Sequence, residues 1–431
     1  MFLSDIIHFP LVRFLDNRIY DQMVQFNLRP HPQNPRVVII DIDNLSVQKE
    51  GRWPWPRNKM ADLINKLKQS GVVTIGTDIV MAEPEVNYAQ GLAKELQPLM
   101  PALTPEQKQL PTLLNEIAPK VDNDQIFANS LLDHNVVLGF LFHNDLDIKK
   151  GVLPTSLTDP YGNILYRDEL PLYQFSGYNG CLELFLKAST QAGAVTNLPD
   201  LDGSVRHGLM LASYGNKLYP TLSLAIAMNY LLVDHISLKT YDDHLYGIQL
   251  GAVFIPTNSH GQILIPFWGK PGTLDYYSAT DIMQGNVNPK ELQGAIAIIG
   301  STMILLADLH QSPIAQSFPG VEMVGNMVQG IAAQQLITPY DWHTSHGRIY
   351  LCFLGLAFAI LFALFGVAGI LVLAFLSITI MLVLTLVLFV TKSLFVPLGF
   401  LLILVTLLTL INYAYLFIKE RRQKRKINQL S

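Results

Sequence analysis

The first sustained apolar run of the chain, "RVVIIDID" (Arg36 to Asp43), is continuous rather than alternating. That is the pattern of a strand buried on both faces, here closed by two aspartates. Beyond it, Met60, Leu63, Ile64 and Leu67 fall at i, i+3, i+4 and i+7, one face of a helix, and Gly71 stands where a C-terminal cap is expected. "VVTIGTDIV" (Val72 to Val80) is a second continuous run, so Arg36 to Val80 has the length and order of a βαβ unit with a right-handed crossover. Further apolar blocks lie at Val136 to Phe142, Tyr219 to Leu231 and Ala295 to Gly300. In Phe318 to Ile331, Val321, Val324, Val328 and Ile331 share a helical face, with Ser317 and Pro319 suited to its start. The proline-punctuated stretch Asn87 to Lys120 is expected to be an insertion of short helical pieces. Together these elements predict one large α/β domain with a mixed or parallel sheet over residues 36–342, after a lead-in segment over residues 1–35.

The pattern changes at Ile349. From there to Ile418 the only charged side chain is Lys392, and three uncharged stretches, 349–368, 370–390 and 394–418, are each long enough to cross a hydrocarbon core of ~30 Å. In the middle stretch 16 of 21 residues are Leu, Ile, Val or Phe, which at roughly −0.3 to −0.6 kcal/mol each makes insertion favourable by about 5 to 10 kcal/mol. A three-helix, all-α transmembrane bundle over residues 349–418 follows. Gly355, Gly366, Gly369 and Gly399 are its candidate close-packing positions, and Pro397 and Asn412 its candidate kink or polar points.

Charge orients the bundle. The tail over residues 419–431 opens with "KERRQKRK", six basic residues against Glu420, and such a cluster stays cytoplasmic. Three crossings then put residues 1–347 outside the cytoplasm, periplasmic if the membrane is a bacterial inner membrane. Of the 34 acidic residues 33 lie before Arg348, against 22 of the 30 basic ones, so the outer region is acidic. An acidic surface is a poor match for phosphate backbones, and no nucleic-acid partner is expected. The expected partner of the helices is membrane lipid. Of the two cysteines, Cys352 falls inside the first span and Cys181 in the outer region, so no disulfide framework is expected.

Candidate chemistry is sparse. In "GRWPWPR" (Gly51 to Arg57) each proline keeps the residue before it out of the helical region, which makes the motif a rigid lead-in to a helix starting near Arg57. Lying after a buried strand, it also sits where ligands bind in open α/β sheets, with Arg52 or Arg57 able to hold an anion. Asp41 and Asp43 end that strand as D-x-D, as in phosphatases of the haloacid dehalogenase type, but Leu45 stands where that motif wants Thr or Val. Asp242 and Asp243 lack the strand context of a metal-holding pair. Asp308 and His310 are two apart, and two ligands do not make a metal site. No phosphate loop, dinucleotide fingerprint, zinc-protease helix or nucleophile elbow occurs, so the expectation for this chain is no catalysis, no cofactor and no metal.

The blocks "VVIIDIDNLSVQKEGRWPWPR", "GVVTIGTDIVMAEPE", "GAVTNLPDLDGSVRHGLML", "LQGAIAIIGST" and "DLHQSPIAQSFPGVEMVGNMVQGI", in this order, resemble the type-two CHASE domain, an extracytoplasmic sensory module of bacterial receptors. The resemblance runs from about Arg36 to Trp342, and three helices are that family's usual next element. It implies a shared patch of Asp41, Asp43, Arg52, Trp53, Pro54, Trp55, Pro56 and Arg57, with Asp78, Glu83 and Pro84 after the second strand, Asp202, Gly203 and Arg206 in the middle and Asp308 near the end. The role it implies for them is architectural more than ligand-binding. It further implies a homodimeric input module that answers an unidentified extracytoplasmic stimulus and drives a cytoplasmic class III adenylate or guanylate cyclase, expected to follow Ser431. Ile427 and Leu430 have the spacing of a first coiled-coil step towards it. The family's usual span before the first strand is not matched by "IIHFPLV", which is too short, so a further span upstream of Met1 is expected. The alternative reading is a stand-alone envelope protein that binds a ligand or partner without an effector.

Overall fold

The computed structural model describes residues 10–428 apart from 29, 103, 105–108, 133–134, 190, 242–243, 304–307 and 343–344. Asp242, Asp243 and Leu430 thus lie outside the described residues.

A mixed eight-stranded sheet organises the outer domain. Its parallel part is built from β1 (Val37–Asp41), β2 (Thr74–Val80), β3 (Val136–His143), β4 (Gln191–Ala194), β5 (Asp275–Ser278) and β6 (Ile296–Gly300), in the spatial order β5-β1-β6-β2-β3, with β4 also beside β3. The short strand Gly177–Asn179 runs antiparallel to the end of β3. The expected βαβ unit is present but open: β1 and β2 are parallel members of one sheet, and β6, from more than 200 residues later, fills the space between them.

Alternation along β1 sends Val38 and Ile40 to one face of the sheet and Val37 and Ile39 to the other. The first face is covered by α3 (Arg57–Gln69), α4 (Asn123–Leu131) and α6 (Ala279–Gln284), the second by α5 (Leu222–Tyr230) and α7 (Gly320–Ala332). Met60, Leu63, Ile64 and Leu67 are fully buried on α3, as their spacing predicts. That helix ends at Gly71, φ +79°, where the Gly71 amide donates to the Lys68 carbonyl and the Val72 amide to Leu67, a Schellman closure. A short helix, α2 (Asn44–Glu50), occupies the connection before Gly51. The stretch 87–120 contains the helices Tyr88–Leu96 and Gln109–Ile117 and two 3-10 turns.

Three apolar helices follow, α8 (Ser345–Leu364), α9 (Val367–Lys392) and α10 (Gly399–Asn428), each with a segment long and apolar enough to cross a membrane. Their bounds differ from the expected 349–368, 370–390 and 394–418. Leu394 and Phe395, apolar enough to pass for the start of the third span, instead pair as a short parallel strand with Thr338 and Pro339. The Trp342 indole donates to the Pro397 carbonyl at 2.8 Å, so the α9–α10 turn is stitched to the segment that leaves the domain. The α8–α9 turn at Phe365 and Gly366 and the basic tail therefore lie at the opposite end of the bundle from the domain.

The lead-in is itself structured. Helix α1 (Pro10–Phe26) buries Val12, Tyr20, Asp21, Met23 and Val24 between the outer domain and the near ends of α9 and α10.

Candidate functional site

The predicted patch divides into three groups, the second and third of which adjoin through the Ser204–Gln311 bridge. At the corner, Trp55 is 3% exposed, donates its indole N–H to the Gly51 carbonyl at 2.9 Å, and meets the half-buried Trp53 edge-on at 5.6 Å between ring centroids. The Trp53–Pro54 peptide is cis, and Pro54, Pro56 and Arg52 face solvent. Arg57 opens α3. Its backbone N–H donates to Glu85 at 2.7 Å, and its guanidinium lies 3.7 Å from Asp124, whose other oxygen accepts the Glu85 amide at 2.9 Å. Here the corner closes on its own protein partners. Glu83 and Pro84 are exposed, with Glu83 paired to Lys150 at 2.6 Å.

The second group lies at the carboxyl ends of the parallel strands. Asp43 caps α2, accepting from the Ser46 amide at 2.7 Å, and also accepts the Ser278 hydroxyl at 2.9 Å. Asp41 is buried and accepts the amide of Thr302 at 2.9 Å and its hydroxyl at 2.5 Å, which locks β1 to the second residue past β6. Burial raises the Asp41 carboxyl, and the Thr302 donors oppose that shift. Both members of the D-x-D pair are thus committed to structure. On β2, the other side of β6, burial with the added repulsion of Asp308 pushes Asp78 up to about 7, opposed by His310. Asp308 itself is held low, chiefly by its 2.7 Å hydrogen bond with His310. Asn197 lies 3.4 Å from the same imidazole nitrogen. Among the described residues no cluster of three or more His, Cys, Asp or Glu side chains has the arrangement of a metal site.

The third group is a charge knot around Arg206, which is only 3% exposed. Its guanidinium donates to both oxygens of Asp21 at 2.7 and 2.8 Å, to Asp200 at 2.9 Å and to both oxygens of Asp202 at 2.9 Å. Although burial opposes its charge, those carboxylates raise its affinity for the proton, so it stays cationic. His207 closes the knot onto Asp200 at 3.0 Å. Arg206 and Asp202 belong to the predicted patch. Asp21 does not: it sits in a helix of mixed polarity and nothing in the spacing marks it.

Asp21 extends the knot to the helical bundle, because its helix also docks there. Five residues earlier Asp16 accepts the backbone N–H of Gly399, the first residue of α10, at 2.6 Å, an acid at the positive end of a helix. Burial pushes Asp16 up to about 6 against the opposing Gly399 and Leu398 amides. Between the two aspartates, the Tyr20 ring packs edge-on against Phe395 at 5.2 Å and Phe389 at 6.3 Å. Tyr241, on the hairpin formed by 237–241 and 244–250, reaches His346 at the start of α8 at 3.2 Å. Among the described residues, α1, the 338–339/394–395 pair, Trp342 and Tyr241 thus hold the outer domain against the near end of the bundle. A cleft of about 550 Å³ opens elsewhere, between the 152–157 loop, the helix Glu183–Ala188 and α5, and no residue of the predicted patch lines it.

Residues 2–365 match the CHASE2 domain family, a match that takes in α1 and all of α8 as well as the sheet. No curated protein and no solved structure matches the chain.

Proposed function

Because the chain belongs to the CHASE2 domain family, a sensory module carried here on three candidate membrane spans, we propose that it is the input half of a receptor whose effector is a class III adenylate or guanylate cyclase. On this reading the chain has no catalytic role of its own, the domain is periplasmic, the basic tail is cytoplasmic and the working unit is a homodimer. One observation carries the proposal: α1 grips the sensor core through Asp21–Arg206 and the mouth of the third span through Asp16–Gly399. A displacement in the domain therefore has a stiff path into α10, the helix that continues into the tail. Class III cyclases form their active sites between two chains, so a small shift or rotation of paired α10 helices is enough to align or part the catalytic halves.

The unidentified stimulus enters this scheme as any ligand or partner that binds two positions of the domain unequally. The test is a fusion of a class III catalytic domain after Ser431, with cyclic nucleotide production compared between the intact chain, a chain lacking residues 36–342, and Asp21→Asn. Output that differs between them supports the receptor reading. Identical output from all three overturns it.

A further inference from the structure

Helix α1 packs on Gly399, at the domain-side start of the third candidate span, yet is not itself one of the spans. A Cβ on Gly399 would collide with the Val12 carbonyl, so the backbone of α1 touches the first residue of α10 with nothing between them. At 1.5 Å per residue, Leu11 and Phe14 lie within about 5 Å of that contact along the helix axis. They are 48% and 52% exposed, whereas Val12 and Tyr20 on the opposite face are nearly fully buried. Leu11, Phe14 and Arg18 are spaced i, i+3, i+7, a single stripe, and the Arg18 guanidinium sits 5.4 Å from the Phe14 ring centroid. Two bulky apolar side chains flanked by a guanidinium are the surface of a helix that lies in the headgroup layer, rings toward the acyl chains and cation at the phosphates.

We infer that the Leu11–Phe14–Arg18 stripe of α1 is a lipid-binding surface, seated in the outer leaflet beside the mouth of the third span, with the phospholipid headgroup and upper acyl chain as its partner. Val12, between Leu11 and Phe14 in the chain, touches the first residue of the third candidate span, whose own side chains Leu407, Leu410 and Ile411 are exposed and apolar, and this selects lipid over a soluble partner. It would make the α1 link responsive to the bilayer it lies on.

The test uses the full chain in vesicles of phosphatidylethanolamine and phosphatidylglycerol. A spin label is placed at Phe14→Cys, and separately at Leu11→Cys, on a Cys352→Ala background; Leu201→Cys, 90% exposed, is the water reference. Relaxation by oxygen should exceed relaxation by an aqueous nickel chelate at both α1 positions, with a depth of about 5–10 Å into the interface. Nickel accessibility equal to that at position 201 would overturn the inference. Shielding from both reagents would also overturn it, since protein rather than lipid would then cover the stripe.

Discussion

Both carboxylate oxygens of Asp21 are held by the guanidinium of Arg206, 185 residues later in the chain, at 2.7 and 2.8 Å in a site almost closed to water. A buried pair of this kind is a weak source of net stability, because desolvation offsets most of the attraction, but losing one partner strands the other charge. Its consequence here is positional: it fixes the turn of α1 that lies between the sheet and the membrane bundle.

Arg206→Met leaves three carboxylates facing one another, and should cost about 3–5 kcal/mol in thermal or denaturant unfolding of the detergent-solubilised chain. Arg206→Lys should recover little of this, since an ammonium cannot reproduce paired donors to two carboxylates. Asp21→Asn should be milder, because Asp200 and Asp202 still neutralise the guanidinium. It should show first as protease sensitivity between residues 27 and 35, before any change in the global midpoint. Simultaneous loss of both in Asp21→Asn would mean that α1 is part of the core rather than a link.

The Asp78 carboxyl gives a pH prediction with a definite sign. Its pKa rises on folding from 3.8 to about 7, so its contribution to stability is complete below pH 3.8 and is lost as pH rises through about 7. Asp308 has the opposite sign, because its hydrogen bond with His310 favours the folded state above pH 3.8 and is lost in acid. Asp78→Asn removes the first effect alone. It should match the parent at pH 4 and exceed it by about 1–2 kcal/mol at pH 8, a figure reduced for the partial exposure of this side chain. A gap that stays constant between pH 4 and 8 would show that Asp78 titrates as an ordinary surface acid.

Local signals in the sequence are legible, and distant ones are not. The buried face of α3 and the Gly71 cap depend on residues within a few positions of each other, so spacing alone reveals them. The insertion of β6 between β1 and β2 is a choice among nearly equivalent apolar strands, and "RVVIID", "TIGTDIV" and "AIAIIG" carry no label of their neighbours. The spans are visible in composition, but the place of Leu394 and Phe395 is not, because an apolar pair suits a span and a short strand equally well. Arg206 and Asp202 entered through family resemblance. Their partner Asp21, and Asp16 beside it, are ordinary acids in an amphipathic helix until the fold brings their partners to them.

The tryptophan corner separates architecture from recognition. Trp55→Ala should cost about 3–5 kcal/mol, since it empties a buried site in the packed face and removes the bond to Gly51. Trp53→Ala, at a half-buried position, should cost less. Arg52→Ala should leave stability within about 0.5 kcal/mol, as expected for a solvent-facing side chain. In the cyclase fusion the same Arg52→Ala variant should also leave output unchanged. Loss of output with normal stability would instead make Arg52 a contact for the stimulus.

The contact between α1 and α10 depends on Gly399 having no side chain. A Cβ there meets the Val12 carbonyl, and also the Asp16 carboxylate at 3.1 Å, and a backbone neighbour cannot swing aside as a flexible side chain can. Alanine is also the better helix former, so Gly399→Ala does not weaken the span itself, and its whole effect should fall on the docking of α1. The expected loss is about 1–3 kcal/mol, the usual range for overpacking, together with the protease sensitivity after α1 predicted for Asp21→Asn. Two other glycines of the bundle serve as controls. At Gly355 the nearest atom to an added Cβ is a Leu404 methyl at 3.4 Å, and at Gly366 nothing lies within 4 Å, so alanine at either should be nearly neutral. If all three variants behaved alike, the glycine at 399 would be incidental, and the path from sensor core to third span would run through the 338–339/394–395 strand pair and the Trp342–Pro397 bond instead.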